Sequence, residues 1–136
     1  MRIRPYEEKD RDCVKVVSVR TGGNPTAEKD KRALWCLFLD YYIEIEPDCC
    51  FVAADDDDNA VGFVIAASDH IEYEKIYREK YLAKLSRIKW HYGVYKRFEL
   101  LLSRKFGKKY KAHLHIDINP EYQRAGLGHR LMNALI

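Results

Sequence analysis

The chain has 136 residues, 47% of them hydrophobic and 33% charged, with a formal net charge of +3. That length describes one domain, and that composition excludes a disordered polar chain. No apolar run approaches the roughly 20 residues of a membrane-spanning helix, and Met1-Arg2-Ile3-Arg4-Pro5 lacks the apolar core of a signal peptide. The four cysteines, Cys13, Cys36, Cys49 and Cys50, form no Cys-x-x-Cys pair and do not space like zinc ligands. They read as thiols, Cys36 and Cys50 being the clearest buried ones, and a cytoplasmic setting follows.

In chain order, Arg2–Tyr6 predicts a short strand that Pro5 confines to an edge or an end. Asp10 through Arg20 predicts a first helix carrying Cys13, Val14, Val16 and Val17, and Thr21-Gly22-Gly23-Asn24-Pro25 a loop. A single second helix is expected from about Thr26 to Glu44, with Ala33, Leu34, Leu37, Phe38, Tyr41 and Ile45 on one stripe. Cys49–Ala54 and Ala60–Ala66 are β-branched and alanine-rich runs that predict a hairpin closed at Asp55–Asn59. The aspartates there read as a solvated turn, because the ligand spacing of an EF-hand is missing.

Tyr73, Ile76, Tyr77, Tyr81, Leu85 and Ile88 fall at helical spacing, as do Tyr95, Phe98, Leu101, Leu102 and Phe106. A pair of helices is expected, with Gly93 breaking them, Gly107 ending the second and the aromatic stripe covering the core or a partner subunit. Lys75 to Lys111 is densely basic, opposed mainly by Glu79 and Glu99. A basic segment can mark a nucleic-acid footprint, but no nucleic-acid motif accompanies this one, and solvated helix faces are the simpler reading.

The most informative stretch lies beyond. Leu114, Ile116 and Ile118 alternate with His113, His115 and Asp117, so a strand presents an apolar face and a polar face. Asn119-Pro120 stops it, and Leu127, Leu131 and Leu135, with Met132, predict a helix. Between them runs Gln123-Arg124-Ala125-Gly126-Leu127-Gly128. A loop of this kind turns backbone N–H groups and the positive end of the helix dipole toward one point, where a phosphate can sit. The glycines let a diphosphate approach the backbone.

Gln-x-x-Gly-x-Gly between such a strand and a leucine-rich helix resembles the acetyl-CoA pyrophosphate loop of the GNAT superfamily of N-acetyltransferases. Ala112–Ile118 followed by Pro120-Glu121-Tyr122-Gln123 is most similar to bacterial relatives of the acetyltransferase-like domain of O-GlcNAcase. The resemblance implies one α/β domain over 1–136, with a mixed, mostly antiparallel sheet flanked by helices and a helical insertion at about 69–110, between the third and fourth strands. It also implies that the family's later strands would follow Ile136, so that the chain is a truncated member.

By the same resemblance, acetyl-CoA is the co-substrate and a primary amine the acceptor. The cofactor contacts are expected from Asp117, Ile118, Gln123, Arg124, Ala125, Gly126, Leu127, Gly128, His129 and Arg130. His115 and Asp117 are the expected catalytic groups, histidine because its unperturbed pKa lies near neutrality. Some relatives carry a His-x-His pair on this strand; here it stands one residue nearer the loop. Two histidines and a carboxylate could also hold zinc, but the adjacent nucleotide loop favours a thioester, and no metal is expected. An edge strand left open at Ile118 would invite a second copy of the chain to pair as a homodimer. A non-catalytic domain that holds CoA, or offers a basic surface, is the alternative.

Overall fold

The computed structural model describes residues 1–109, 112–124 and 126–136, with side chains described at all of these except 106–109. Four antiparallel strands form one sheet in sequence order: β1 (Arg2–Pro5), β2 (Phe51–Ala54), β3 (Ala60–Ala67) and β4 (His113–Ile118). Helices α1 (Arg11–Thr21), α2 (Glu28–Phe38) and α3 (Asp40–Ile45) lie between β1 and β2, where two helices were expected. Between β3 and β4 come α4 (His70–Lys80), α5 (Leu82–Ile88) and α6 (Trp90–Lys109); α7 (Leu127–Leu135) follows β4.

Strand β3 is buried along its whole length because both of its faces are covered. Phe63, Ile65 and Ala67 join the larger core with α1 to α6, while Val61 and Val64 join Leu127 and Leu131 of α7 on the other side. The register pairs Ala53 with Gly62 and Ala54 with Ala60, leaving Val61 as the extra residue of a β-bulge. The Val61 carbonyl accepts the Asn119 N–H at 2.9 Å, which holds the end of β4 against the bulge just before Pro120.

The second helix is not continuous. It breaks at Leu39, whose backbone leaves the helical region (φ −130°, ψ −51°). The break lets Leu39, Tyr41, Tyr42 and Ile43 all be buried, which one face of a straight helix cannot do. Five tyrosines, Tyr41, Tyr42, Tyr73, Tyr77 and Tyr81, form the centre of the larger core, with Tyr42 and Tyr73 stacked at 5.8 Å. Their hydroxyls find partners, as buried phenols require: Tyr77 donates to the Cys36 carbonyl at 2.8 Å, Tyr81 to Glu44 and Tyr41 to Glu46, each at 2.7 Å. Cys36 and Cys50 are buried, and all four thiols are free.

The insertion holds three helices rather than two, and its breaks fall at Tyr81 and Lys89. Gly93 lies inside α6 because α5 and α6 cross there: a Cβ at Gly93 would collide with Ser86. Gly107 is likewise within α6, which continues to Lys109. The orientation of α6 removes the core from the two surfaces the stripe was expected to cover. Gly93, Lys96 and Leu100 face inward, whereas Tyr95, Phe98, Leu101 and Leu102 face out, Leu102 being 75% exposed. The Phe106 side chain of the same stripe lies outside the described residues. Spacing marks a helical face but not the side it turns, and here the crossing at Gly93 sets that side.

The acidic hairpin does more than meet solvent. Asp55 accepts the N–H groups of Asp57 and Asn59, closing the turn. Asp58 receives Arg2 at 2.7 Å, Arg4 at 2.9 Å and Lys9 at 2.6 Å, and these cations hold its carboxyl well below the usual range. Among the described residues no helix is long and apolar enough to cross a membrane.

Candidate active site

Strand β4 divides its side chains as its alternation requires. Ile116 and Ile118 pack with Leu127 and Leu131, while His113 and His115 stand opposite Ala67 and Ile65 on the face of the larger core. That face opens into a cavity of about 270 Å³, walled by Phe38, Tyr42, Tyr73, Lys96, Glu99 and Leu114. Asp117 occupies the same face two residues on, beside Phe63 in the register, but is not part of the cavity wall. Among the described residues no three His, Cys, Asp or Glu groups converge to hold a metal.

His113 is held by a chain of hydrogen bonds. The Ser103 hydroxyl donates to the Leu100 carbonyl at 3.2 Å, so toward His70 Nε2, 3.0 Å away, it acts as acceptor. His70 therefore carries its proton on Nε2 and offers the Nδ1 lone pair. His113 Nδ1–H fills that lone pair at 3.1 Å, and His113 Nε2 accepts the Tyr42 hydroxyl at 2.8 Å. Both imidazoles are neutral in this arrangement, with every hydrogen bond pointing from Tyr42 toward Ser103. Burial pushes His113 down to about 4, and the Lys96 charge, with any proton on His70 or His115, pushes the same way. Burial also lowers His70.

His115 sits at the mouth of the cavity, with its ring 6.1 Å from Phe38 and 5.7 Å from Tyr42. It remains solvent-exposed at one edge, yet crowding on the other side lowers its pKa, against the pull of Asp117. Burial raises Asp117, opposed by Thr21 and His115. The cavity also contains the Lys96 ammonium, 2% exposed and bonded to the Tyr73 hydroxyl at 2.8 Å and Glu99 at 3.0 Å. It lies over the Tyr77 ring at 4.7 Å. Burial alone would drive the lysine toward neutrality; Tyr73 and Glu99 outweigh it, and the net shift is upward.

At the far end of β4 the chain turns through Pro120–Tyr122, a 3₁₀ turn tied to α1 by the two-pronged contact of Arg20 with Glu121 at 2.7 and 2.8 Å. Gln123 bends back and donates to the Ile118 carbonyl at 3.0 Å. Arg124 has φ +69° and Gly126 φ +76°, and Gly126 caps α7 in the left-handed conformation that suits glycine. A Cβ on Gly126 would meet nothing within 4 Å, so the space above the cap is open.

The first-turn N–H groups of Leu127, Gly128 and His129 have no intrahelical acceptor, as at any helix start, whereas Arg130 N–H already bonds the Gly126 carbonyl at 3.2 Å. These features suit a diphosphate. Asn119 Oδ1, buried at the end of β4, meets no donor among the described residues. Arg124 and His129 are exposed, while the Arg130 guanidinium is turned to the Met1 carbonyl at 3.0 Å. Ala125 lies outside the described residues.

Sequence reasoning brought out His113, His115 and Asp117 but missed His70, Ser103, Tyr42 and Lys96. The only local signal among them is Asp69, which caps α4 by accepting the Ile71 N–H at 2.9 Å and so sets His70 at the start of that helix.

The crystal structure of SsHAT, 28% identical in sequence, superimposes with a TM-score of 0.83 over 98% of this chain and 74% of that one. A mosquito arylalkylamine N-acetyltransferase like 5b (16% identity, TM-score 0.54) and an apo agmatine N-acetyltransferase (18%, 0.51) share the fold, each over 98% of this chain, and over 68% and 67% of their own lengths. No curated protein matches the sequence. The sequence pattern of the acetyltransferase (GNAT) family matches residues 17–136, from within α1 through the glycine cap and α7. With four antiparallel strands leading into that cap, the chain belongs to the acetyltransferase (GNAT) family.

Proposed function

We propose that the chain transfers an acetyl group from acetyl-CoA to a primary amine, in a cytoplasmic setting compatible with its four free thiols. The observation that carries this reading is the layout of β4: a histidine-bearing face over a cavity, and an end that leads through the Pro120–Tyr122 turn to an αL-capped helix start. Among the described residues β4 pairs only with β3. Its free edge, at Asp117–Ile118, is suited to bond a pantetheine arm as an added strand would be bonded. The finer affiliation, to bacterial relatives of the O-GlcNAcase acetyltransferase-like domain, rests on Ala112–Ile118 and Pro120–Gln123.

In the transfer, the amine first loses its ammonium proton to a base, and its nitrogen then bonds to the thioester carbonyl carbon. The carbon–sulfur bond breaks with its electron pair leaving on the CoA thiolate, which takes up a proton to become the free thiol. His115 is the group placed to take the ammonium proton: it reaches solvent at the cavity mouth and stays neutral at pH 7. Asp117, two residues away, supports a positive charge on that ring. His113, with a pKa near 4, is a poor base and serves to position its neighbours. Backbone N–H groups of the Gln123–His129 segment hold the diphosphate, and Arg124 and His129 supply outer donors.

Calorimetry with acetyl-CoA, followed by thiol release against agmatine, an arylalkylamine and a polyamine, tests the reading. Saturable binding is expected, with release for at least one amine and a loss of about 100-fold in His115→Asn. Absence of acetyl-CoA binding overturns it. Binding without release for any amine supports a CoA-holding module instead.

A further inference from the structure

A second cleft lies on the helical side of the molecule, between α2, α5 and the start of α3, with a volume of about 690 Å³. That is within the range of small-molecule sites, roughly 300–1,000 Å³. Lys29 and Arg32 line one rim and Lys84 and Arg87 the other. Among the described residues the one ion pair any of these four makes is Lys84 with Asp40, at a long 3.8 Å. Lys15 adds a fifth cation, 4.7 Å above the Trp35 ring, against a single exposed carboxylate, Glu28. Cations that converge on a concave surface reinforce one another's field and draw anions to it.

The floor is chemically different. Asp40 is 8% exposed and lines the cleft, yet no hydrogen-bond donor reaches its carboxylate among the described residues. Burial raises its pKa. Its oxygens keep contact with the cleft rather than being sealed in the core, so a ligand N–H can reach them. Trp35 and Ile88 give the cleft an apolar wall.

We propose that this cleft binds a nucleoside polyphosphate, with phosphates on the Lys29, Arg32, Lys84 and Arg87 rim and a base N–H on Asp40. The rim answers the phosphates by charge-assisted hydrogen bonds, the wall takes the flat base, and the floor accepts its donor. The site is separate from β4 and its cavity and does not depend on acetyl transfer.

Calorimetry of the full chain with ATP, GTP, inorganic pyrophosphate and acetyl-CoA tests the proposal at about 0.15 M salt. Saturable binding of ATP or GTP is expected. The Arg32→Ala/Arg87→Ala double variant should weaken nucleotide and pyrophosphate by about tenfold or more each. Asp40→Leu should weaken the nucleotide alone, leaving pyrophosphate unchanged or tighter. Failure of both nucleotides to bind overturns the proposal, as does a rim variant that binds them unchanged. Equal behaviour of nucleotide and pyrophosphate in Asp40→Leu removes the base from the site and overturns the nucleoside assignment. A rim variant that loses acetyl-CoA in the same proportion would show that the cleft is part of the acetyl-CoA site, against the separation proposed here.

Discussion

His70 Nδ1 and His113 Nδ1 lie 3.1 Å apart, so one imidazole must donate and the other accept. The Ser103 hydroxyl settles which, since it spends its hydrogen on the Leu100 carbonyl and can only accept from His70. Two neutral histidines are thereby fixed in defined tautomers beside the cavity. A proton added to either would break this chain of hydrogen bonds, and for His113 burial is the main cause of its low pKa.

This predicts a pH dependence of stability. The pKa of His113 is about 4 in the fold against about 6.5 for an unperturbed histidine, so between those values the unfolded chain binds more protons. The stabilisation is complete above about pH 6.5 and is lost as pH falls toward 4. His70 and His115, both lowered, act with the same sign. Thermal melts between these limits should fall with pH, and His113→Asn should flatten that slope by roughly half. An unchanged slope would show that His113 is protonated normally in the fold.

Lys96 tests the electrostatic part of the same arrangement. Its charge lies in the core among Tyr73, Tyr77 and Glu99 and helps depress His113. Lys96→Met removes the charge and keeps the volume, while Glu99, partly exposed, regains water. Because only one partner is replaced and the buried Tyr73 hydroxyl loses its donor, stability is expected to fall by about 1–3 kcal/mol. The His113 pKa should rise, read by NMR of its ring protons. A pKa that stays put would leave burial and the two neighbouring histidines as the cause.

The glycine cap gives the sharpest test of cofactor binding. Gly126→Asp introduces a carboxylate beside the expected diphosphate and a side chain at φ +76°, a conformation that costs roughly 1–2 kcal/mol outside glycine. Gly128→Glu places a second carboxylate within the first turn. Each should weaken acetyl-CoA more than about tenfold, or some 1.4 kcal/mol, by calorimetry. Unchanged affinity in both would remove the loop from the site.

The inverted face of α6 predicts an unusual mutational pattern. Phe98 is 62% exposed, so Phe98→Asp or Leu102→Asp should shift stability by only about 0.5 kcal/mol in denaturant melts. Leu100 is fully buried, and Leu100→Ala should cost about 2–5 kcal/mol. A reversed order of costs would mean that the helix turns the opposite side inward.

Features specified by neighbouring residues were legible in the chain. Alternation over 113–118 assigned Ile116 and Ile118 to one face and His113 and His115 to the other, as observed. Proline after Asn119 marked the end of the strand, because that follows from one residue's own backbone chemistry, whereas the left-handed cap at Gly126 came only from the structure. The hairpin and the first helix were legible for the same reason.

What the sequence determined by itself was therefore local: the strands, the first helix, the glycine-bearing turn and the pattern that links them to a family. Tertiary structure alone decided the rest. Leu39 breaks a helix that spacing would continue, because two adjacent tyrosines both gain by burial. The stripe of Tyr95, Phe98 and Leu102 faces outward because the close crossing at Gly93 turns Lys96 and Leu100 inward. His70 meets His113 across 43 positions, and Ser103 meets His70 across 33, through helices whose relative placement no local rule contains. Periodicity records where apolar side chains recur along a chain; which of them is buried, and which polar groups are buried with them, depends on the elements packed opposite.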